Sequence, residues 1–438
     1  MPVQTTTSVH HFRATGASLP SRHTPPMKLL ENRDFRRLWA GETVSDFGSQ
    51  VTLLALPLAA VLTLHAGSFQ MGVLSAASML PFLLFSLPAG VWTDRRTRRR
   101  RILISADLGR AAVLLSVPAA AALDVLSFAQ LAIVAFVAGT LTLFFRLAWT
   151  SYLPTIVPRE QLVDANSKLM TSTSAAAIGG PSLAGALVGL VTAPFAILVD
   201  AGSFLVSAFY LGRIEAPEPE REVKARRPWR HDLAVGLRFV SGDRLQRAIA
   251  GSAATLNFFG AVQLAIVVLY ASTELGMTPG LIGLAFAAGA VGALIGAVLA
   301  PRVTARVGAG PAILWATVLF PIALAILPLA SPGQPRLLAA SIVAASEFVG
   351  GIGVMVFDVN SAGLRQAVTP PELMGRTAGA MSFLTQSAKP LGSLVGGALG
   401  AAVGLHETLW IAAAGGLLVI PWTVFSPLRS DEPIPVAD

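Results

Sequence analysis

Two apolar runs, at 69–92 and 102–123, are joined by the stretch Gly90-Val-Trp-Thr-Asp94-Arg95-Arg-Thr-Arg98-Arg99-Arg-Arg101. Each run exceeds the ~20 residues a helix needs to cross the hydrocarbon of a bilayer. A short loop carrying a block of arginines stays on the cytoplasmic side, because such loops are not translocated. This one segment makes the chain a membrane protein, orients the spans beside it and marks a candidate moving part.

Composition agrees: 54% of residues are hydrophobic and 13% charged, against about 25% charged in soluble domains. The absence of cysteine excludes disulfides, thiolate metal sites and a cysteine nucleophile. A net charge of +8 would suit nucleic acid, but its placement says otherwise. Lysine and arginine fall in the first 37 residues, at Arg95–Arg101, between Arg213 and Arg247, and at Arg302/Arg306 and Arg365/Arg376, while the expected outer loops carry almost none beyond Arg336. That is the positive-inside asymmetry, and nucleic acid is not expected as a partner.

Apolar runs and turn punctuation predict twelve spans, near 38–64, 69–92, 102–123, 126–148, 168–190 and 192–212, then 248–272, 279–300, 311–331, 336–358, 377–403 and 407–427. Both termini then face the cytoplasm. Residues 1–37 read as a cytoplasmic extension without the apolar core of a signal peptide. Bundles at 38–212 and 248–428 flank a linker at 213–247, and 429–438 is a tail. Within the linker, Trp229, Leu233 and Leu237 at helical spacing beside Arg230, Arg238 and Arg244 predict a helix at the inner interface.

The halves read as copies displaced by about 210 residues. Pro158-Arg-Glu160 is matched by Pro370-Pro-Glu372, Gly180-Pro181-Ser-Leu-Ala-Gly185 by Lys389-Pro390-Leu-Gly392, and the arginine loop by Pro301-Arg302-Val-Thr-Ala305-Arg306-Val-Gly308, where Asp94 becomes Ala305. Parallel six-span halves imply a path between them and a rocking motion.

Gly90-x-x-x-Asp94-Arg95-x-x-Arg98-Arg99 is similar to the signature of the second-to-third-span loop of the major facilitator superfamily, and the chain resembles that superfamily over nearly its whole length. Thr97 departs from it, standing where glycine is usual. Asp200-Ala-Gly-Ser-Phe204, Gly236-Leu-Arg-Phe-Val240 and Asn360 through Arg365-Gln366 to Thr369-Pro370 resemble the subgroup of bacterial exporters that includes enterobactin-type siderophore and macrolide efflux proteins. The resemblance implies an all-α integral membrane fold, twelve transmembrane helices in two pseudo-symmetric six-helix bundles, in the bacterial cell membrane. It implies a monomer in membrane lipid, a small-molecule substrate, no cofactor or metal, and a proton gradient as energy source.

The resemblance also makes the arginine loop a latch on the cytoplasmic side. Its candidates are Gly90, Asp94, Arg95, Arg98 and Arg99, with Asp358 and Arg376 near the inner ends; the plainer reading is that the arginines only set topology. Asp94 would accept from the N-terminus of the eleventh span, where Thr369 and Glu372 stand at capping-box spacing. In the fifth span Gly180, Pro181 and Gly185 permit close helix approach and a bend. In exporters of the superfamily a similar element seals the halves; ordinary small-residue packing is the alternative.

Ionisable residues inside spans are functional candidates by default. Asp46 lies in the first span, Asp107 and Arg110 share a face of the third, and Asp200, Glu347 and Lys389 lie in the sixth, tenth and eleventh. A carboxylate in that setting loads and releases a proton near neutral pH. Glu347 and Asp46 are the expected proton carriers and Lys389 the substrate or ion-pair residue. Asp107–Arg110 reads as a structural pair, and Asp200 as either a path residue or a local hydrogen-bonding group.

The leading expectation is a proton-antiport exporter of a bulky amphipathic molecule, siderophore or drug, by alternating access. An uncoupled facilitator or lysophospholipid flippase is the alternative. A polytopic enzyme or scaffold is disfavoured: the histidines lie outside the span cores, and no HExxH, GxSxG or P-loop is present.

Overall fold

The computed structural model describes residues 29–94, 96, 98–218 and 229–429. The expected N-terminal extension to residue 27, the side chain of Asp94, Arg95, and the tail from 430 lie outside the described residues. In the N-terminal half, α1 (Arg33–Leu58, extended by a π turn, Ala59–Thr63), α2 (Ser68–Asp94), α3 (Arg99–Ala122), α4 (Phe128–Ile156), α5 (Leu162–Val191) and α6 (Ala193–Gly212) run alternately up and down. The short linker helix α7 (Trp229–Gly242) precedes α8 (Arg244–Thr273), α9 (Pro279–Val307), α10 (Ala309–Ile326), α11 (Arg336–Val368) and α12 (Met374–Val403). The last span is broken into α13 (Leu405–Gly416) and α14 (Val419–Val424).

Eleven of these segments are long and apolar enough to cross a membrane. The one long helix outside that set is α12, whose middle carries Thr385, Gln386, Ser387 and Lys389. It is shielded by packing between α2 and α8, which makes it a polar twelfth helix inside the bundle. The ends are set by local chemistry. Asn32 caps α1 by accepting from the amides of Asp34 and Phe35 (3.0 and 3.1 Å), and Asp243 caps α8 by accepting from that of Gln246 (2.7 Å). Single residues with matching backbone, Thr192 (φ 71°, ψ 161°) and Gly404 (φ 100°, ψ 160°), join α5 to α6 and α12 to α13. The repeat therefore extends to the connections.

Two sequence expectations are corrected. Thr369 and Glu372 do not form a capping box: α12 starts only at Met374, and Thr369 ends α11, donating to the Arg365 carbonyl (2.6 Å) and accepting from Gln246 Nε2 (2.9 Å). The counterpart of the arginine loop is not a loop either. Helix α9 continues through Pro301 to Val307 and turns at Gly308, whose φ of +86° needs no Cβ. The expected interfacial helix is α7, and its Leu233 and Leu237 pack on the core of the C-terminal half.

The end of the bundle with Arg33, the arginine loop and α7 is here termed the basic end. Three apolar cores divide the molecule unevenly. At the opposite end one continuous core draws residues from both halves, among them Leu54, Leu114, Ile197, Ile266, Ile282 and Leu409. At the basic end each half has its own core, around Phe35 and Tyr152 in one and Phe320 and Phe357 in the other. The halves are therefore joined at the opposite end and parted at the basic end.

The seam is made by α2 against α12 and α5 against α9, pairs that the internal twofold exchanges. Main chain meets main chain there. A Cβ on Gly283 would lie 2.2 Å from the Pro181 carbonyl oxygen, and one on Gly185 would lie 2.3 Å from that of Pro279. On the other side, a Cβ on Gly72 would lie 2.6 Å from the Ser393 oxygen.

Candidate functional site: a cavity between the halves

Below the seam lies a two-lobed cavity, about 530 Å³ on the N-terminal side and about 500 Å³ on the C-terminal side. Each lobe is large enough for a drug-sized molecule. Met79, Leu264, Phe286, Ala290 and Glu347 line both lobes. The walls are mainly apolar, and Leu53, which lines the cavity, is 67% exposed. Because the halves have separate cores at the basic end, the cavity opens toward that end.

Glu347 projects from α11 where the lobes join. Gly289 of α9 leaves it room, since a Cβ there would stand 3.4 Å from Oε2. Among the described residues it has no hydrogen-bond or ion-pair partner, and no charged group is in electrostatic reach. A half-buried carboxylate that faces an apolar cavity without a partner is placed to take up a proton or the cationic group of a ligand. Lys389 and Asp358 line the C-terminal lobe and face one another electrostatically.

In the N-terminal lobe the wall is formed by Arg110 and Asp200. Arg110 hydrogen-bonds Asp107, and its guanidinium sits 3.9 Å from the ring centroid of Phe204 and 4.5 Å from that of Phe145. Asp200, 1% exposed, accepts from Ser203 Oγ (3.1 Å).

Residues 24–435 match the profile of the MFS_3 family, described as transmembrane secretion effectors. The chain belongs to that family. It is thus a multi-pass transporter of the major facilitator superfamily. It is 27% identical over 398 residues to the multidrug efflux pump Tap of Mycolicibacterium fortuitum, covering 87% of this chain and 92% of that one. A bacterial homologue of the iron transporter ferroportin has the same fold. Its inward-facing structure superposes with a TM-score of 0.73 (19% identity; 91% of this chain, 99% of that one), and its outward-facing structure with 0.58 (20% identity; 90% and 98%).

Placed in the transporter, the sequence candidates separate. Glu347, Lys389, Asp200 and Arg110 line the cavity, and so does Asp358, which the sequence reading puts at the inner gate. Asp46 lies outside the cavity lining, accepting from Thr173 Oγ1 (2.8 Å) on α5. Asp107 is behind the wall, 0% exposed. Arg376 pairs with Asp232 of α7 (2.9 Å), and Arg99 donates to the Ser151 carbonyl (3.0 Å). Arg98 is exposed, and nothing lies within 4 Å of a Cβ placed on Gly90. Pro181 and Gly185 belong to the seam, while Gly180 packs on Gln50.

Two residues escaped the sequence reading. Glu218, in the linker, caps α3 by accepting from the amides of Arg99 and Arg100 (3.0 Å for the latter); nothing in its Pro-flanked setting signals that partner. Glu42 has a buried, unpartnered Oε1 within electrostatic reach of Asp46, Asp107 and Arg110. A first span beginning at 38 places Glu42 in its first turn, among headgroups. The helix begins at Arg33, and the signal was a carboxylate four residues before Asp46.

Proposed function

We propose that the protein exports amphipathic, drug-like small molecules in exchange for protons, with its basic end in the cytoplasm. The observation that carries this reading is Glu347, a carboxylate without a partner among the described residues, at the waist of an apolar cavity between the two halves. Substrate enters from the basic end, its apolar body filling either lobe. A cationic or hydrogen-bond-donating group displaces the proton of Glu347, and the halves then close at the basic end and part at the seam. Reprotonation from the far side releases the substrate and resets the cycle. The positive-inside distribution supports the orientation, and likeness to a multidrug efflux pump supports export.

Ethidium retention in cells producing the protein tests this. The wild type is expected to lower cell-associated ethidium, and an uncoupler to abolish the difference. Glu347→Gln should cut uncoupler-sensitive efflux at least tenfold, the loss of a contribution of about 1.4 kcal/mol. Efflux by Glu347→Gln at the wild-type rate would remove Glu347 from the mechanism. Efflux that is indifferent to the uncoupler would favour an uncoupled facilitator.

A further inference from the structure

Behind the N-terminal lobe, α1, α3 and α6 bring Glu42, Asp107 and Asp200 into electrostatic reach of a single cation, Arg110. Asp107 is 0% and Asp200 1% exposed, and Arg110 is 5% exposed between its two phenylalanine rings. Among the described residues, Arg110 Nε and Glu42 Oε1 are buried without hydrogen-bond partners, while Asp107 has the Ser207 hydroxyl beside it. Such orphan atoms are few in native interiors and each needs an explanation. Full ionisation would leave three negative charges against one positive charge at membrane depth, which burial does not permit.

We propose that Glu42, Asp107 and Asp200 around Arg110 form a proton-storage site of the N-terminal half, separate from Glu347, which exchanges protons with the basic-end vestibule through Asp46. The inference rests on the proton-driven reading above and deepens it. A proton fits better than a metal cation: it neutralises a carboxylate on the oxygen itself and needs no room for an added ion beside the fixed guanidinium. The cluster holds as many protons as the surplus of carboxylates over Arg110, and these belong to the group as a whole.

The surroundings offer an entry and an exit. On α1, Asp46 is one turn from Glu42 and hydrogen-bonds the exposed Thr173 of α5, with Arg146 of α4 in electrostatic reach. On the other side, Arg110 and Asp200 line the cavity. The remaining polar neighbours are the hydroxyls of Ser203 and Ser207 on α6 and Thr52 on α1. A proton can thus pass from the cavity wall to the vestibule through the N-terminal half without crossing the substrate's position at Glu347.

Infrared difference spectroscopy of the purified protein in detergent, without substrate, tests the site. Between neutral and alkaline buffer the wild type should lose carboxylic C=O absorption. Glu42→Gln and Asp200→Asn should each lose a component of that band at neutral pH, Glu42→Asp should retain it, and Arg110→Met should enlarge it. Size-exclusion profiles identify any variant that has not folded, and Glu42→Asp then serves as the folded comparison. A wild-type spectrum with no titrating band, or a Glu42→Gln band equal to the wild-type band, overturns the proposal. A band that falls when sodium replaces choline at constant pH also overturns it, in favour of a sodium site. No transported compound is used, so the spectra and the ethidium assay fail separately.

Discussion

Thr192 holds φ 71° and ψ 161°, a region tolerated almost solely by glycine, and its counterpart in the second half is Gly404. Thr192→Gly should raise stability by about 1 kcal/mol, read as a higher unfolding midpoint in detergent; an unchanged or lower midpoint contradicts it. Glu274, just beyond α8 at the opposite end, offers a pH test. Burial pushes its carboxyl above the usual range, Glu407 adds to the rise, and His406 opposes it. The folded form therefore binds the proton more tightly than the unfolded chain. That contribution is fully present below the unfolded value and is lost as pH rises through the folded one. The midpoint should fall over that window, and Glu274→Gln should flatten the slope. Residue roles were the least legible part of the sequence. Depth in the membrane pointed to Glu347 and Asp200, but the number of carboxylates around Arg110 depends on how three helices rotate toward each other, which a linear pattern does not contain.

At the scale of elements, hydropathy and turn residues located the spans, because a helix in lipid must be long and apolar whatever its neighbours. The pattern weakens where a helix is sheltered. Helix α12 is polar because α2 and α8 cover it, and α9 runs on through Pro301 because its end lies at the polar margin. Small-residue spacing announced close approach in α5 but not the partner, which is the start of α9. Gly283→Ala places a methyl group 2.2 Å from the Pro181 carbonyl oxygen. Overpacking of this kind costs about 1–3 kcal/mol, and 1.4 kcal/mol is tenfold. The variant should shift the equilibrium roughly tenfold toward forms parted at the opposite end. Spin-label distances between α5 and α9 measure this, and distributions identical to the wild type would refute it.

For the whole molecule, one shared core and two separate ones describe one position of the rocking cycle, closed where the apolar surfaces merge and open where they do not. The absence of cysteine makes the seam directly testable. A Cβ on Gly400 would stand 2.9 Å from that of Ser68, a little inside the ~3.8 Å of a disulfide. Ser68→Cys with Gly400→Cys should cross-link on oxidation, halt efflux and recover on reduction; efflux that persists when cross-linked would exclude parting of the seam from the cycle. The repeat and the positive-inside pattern made the two-half architecture legible, whereas which end is closed depends on contacts between residues hundreds of positions apart. The seam has one more consequence, for mutagenesis. An alanine scan normally subtracts atoms and reveals what a side chain contributed, but at Gly72, Gly185 and Gly283 alanine adds an atom where two backbones touch. A survey that skips glycines would find nothing there and leave the closing surface of the machine off its map.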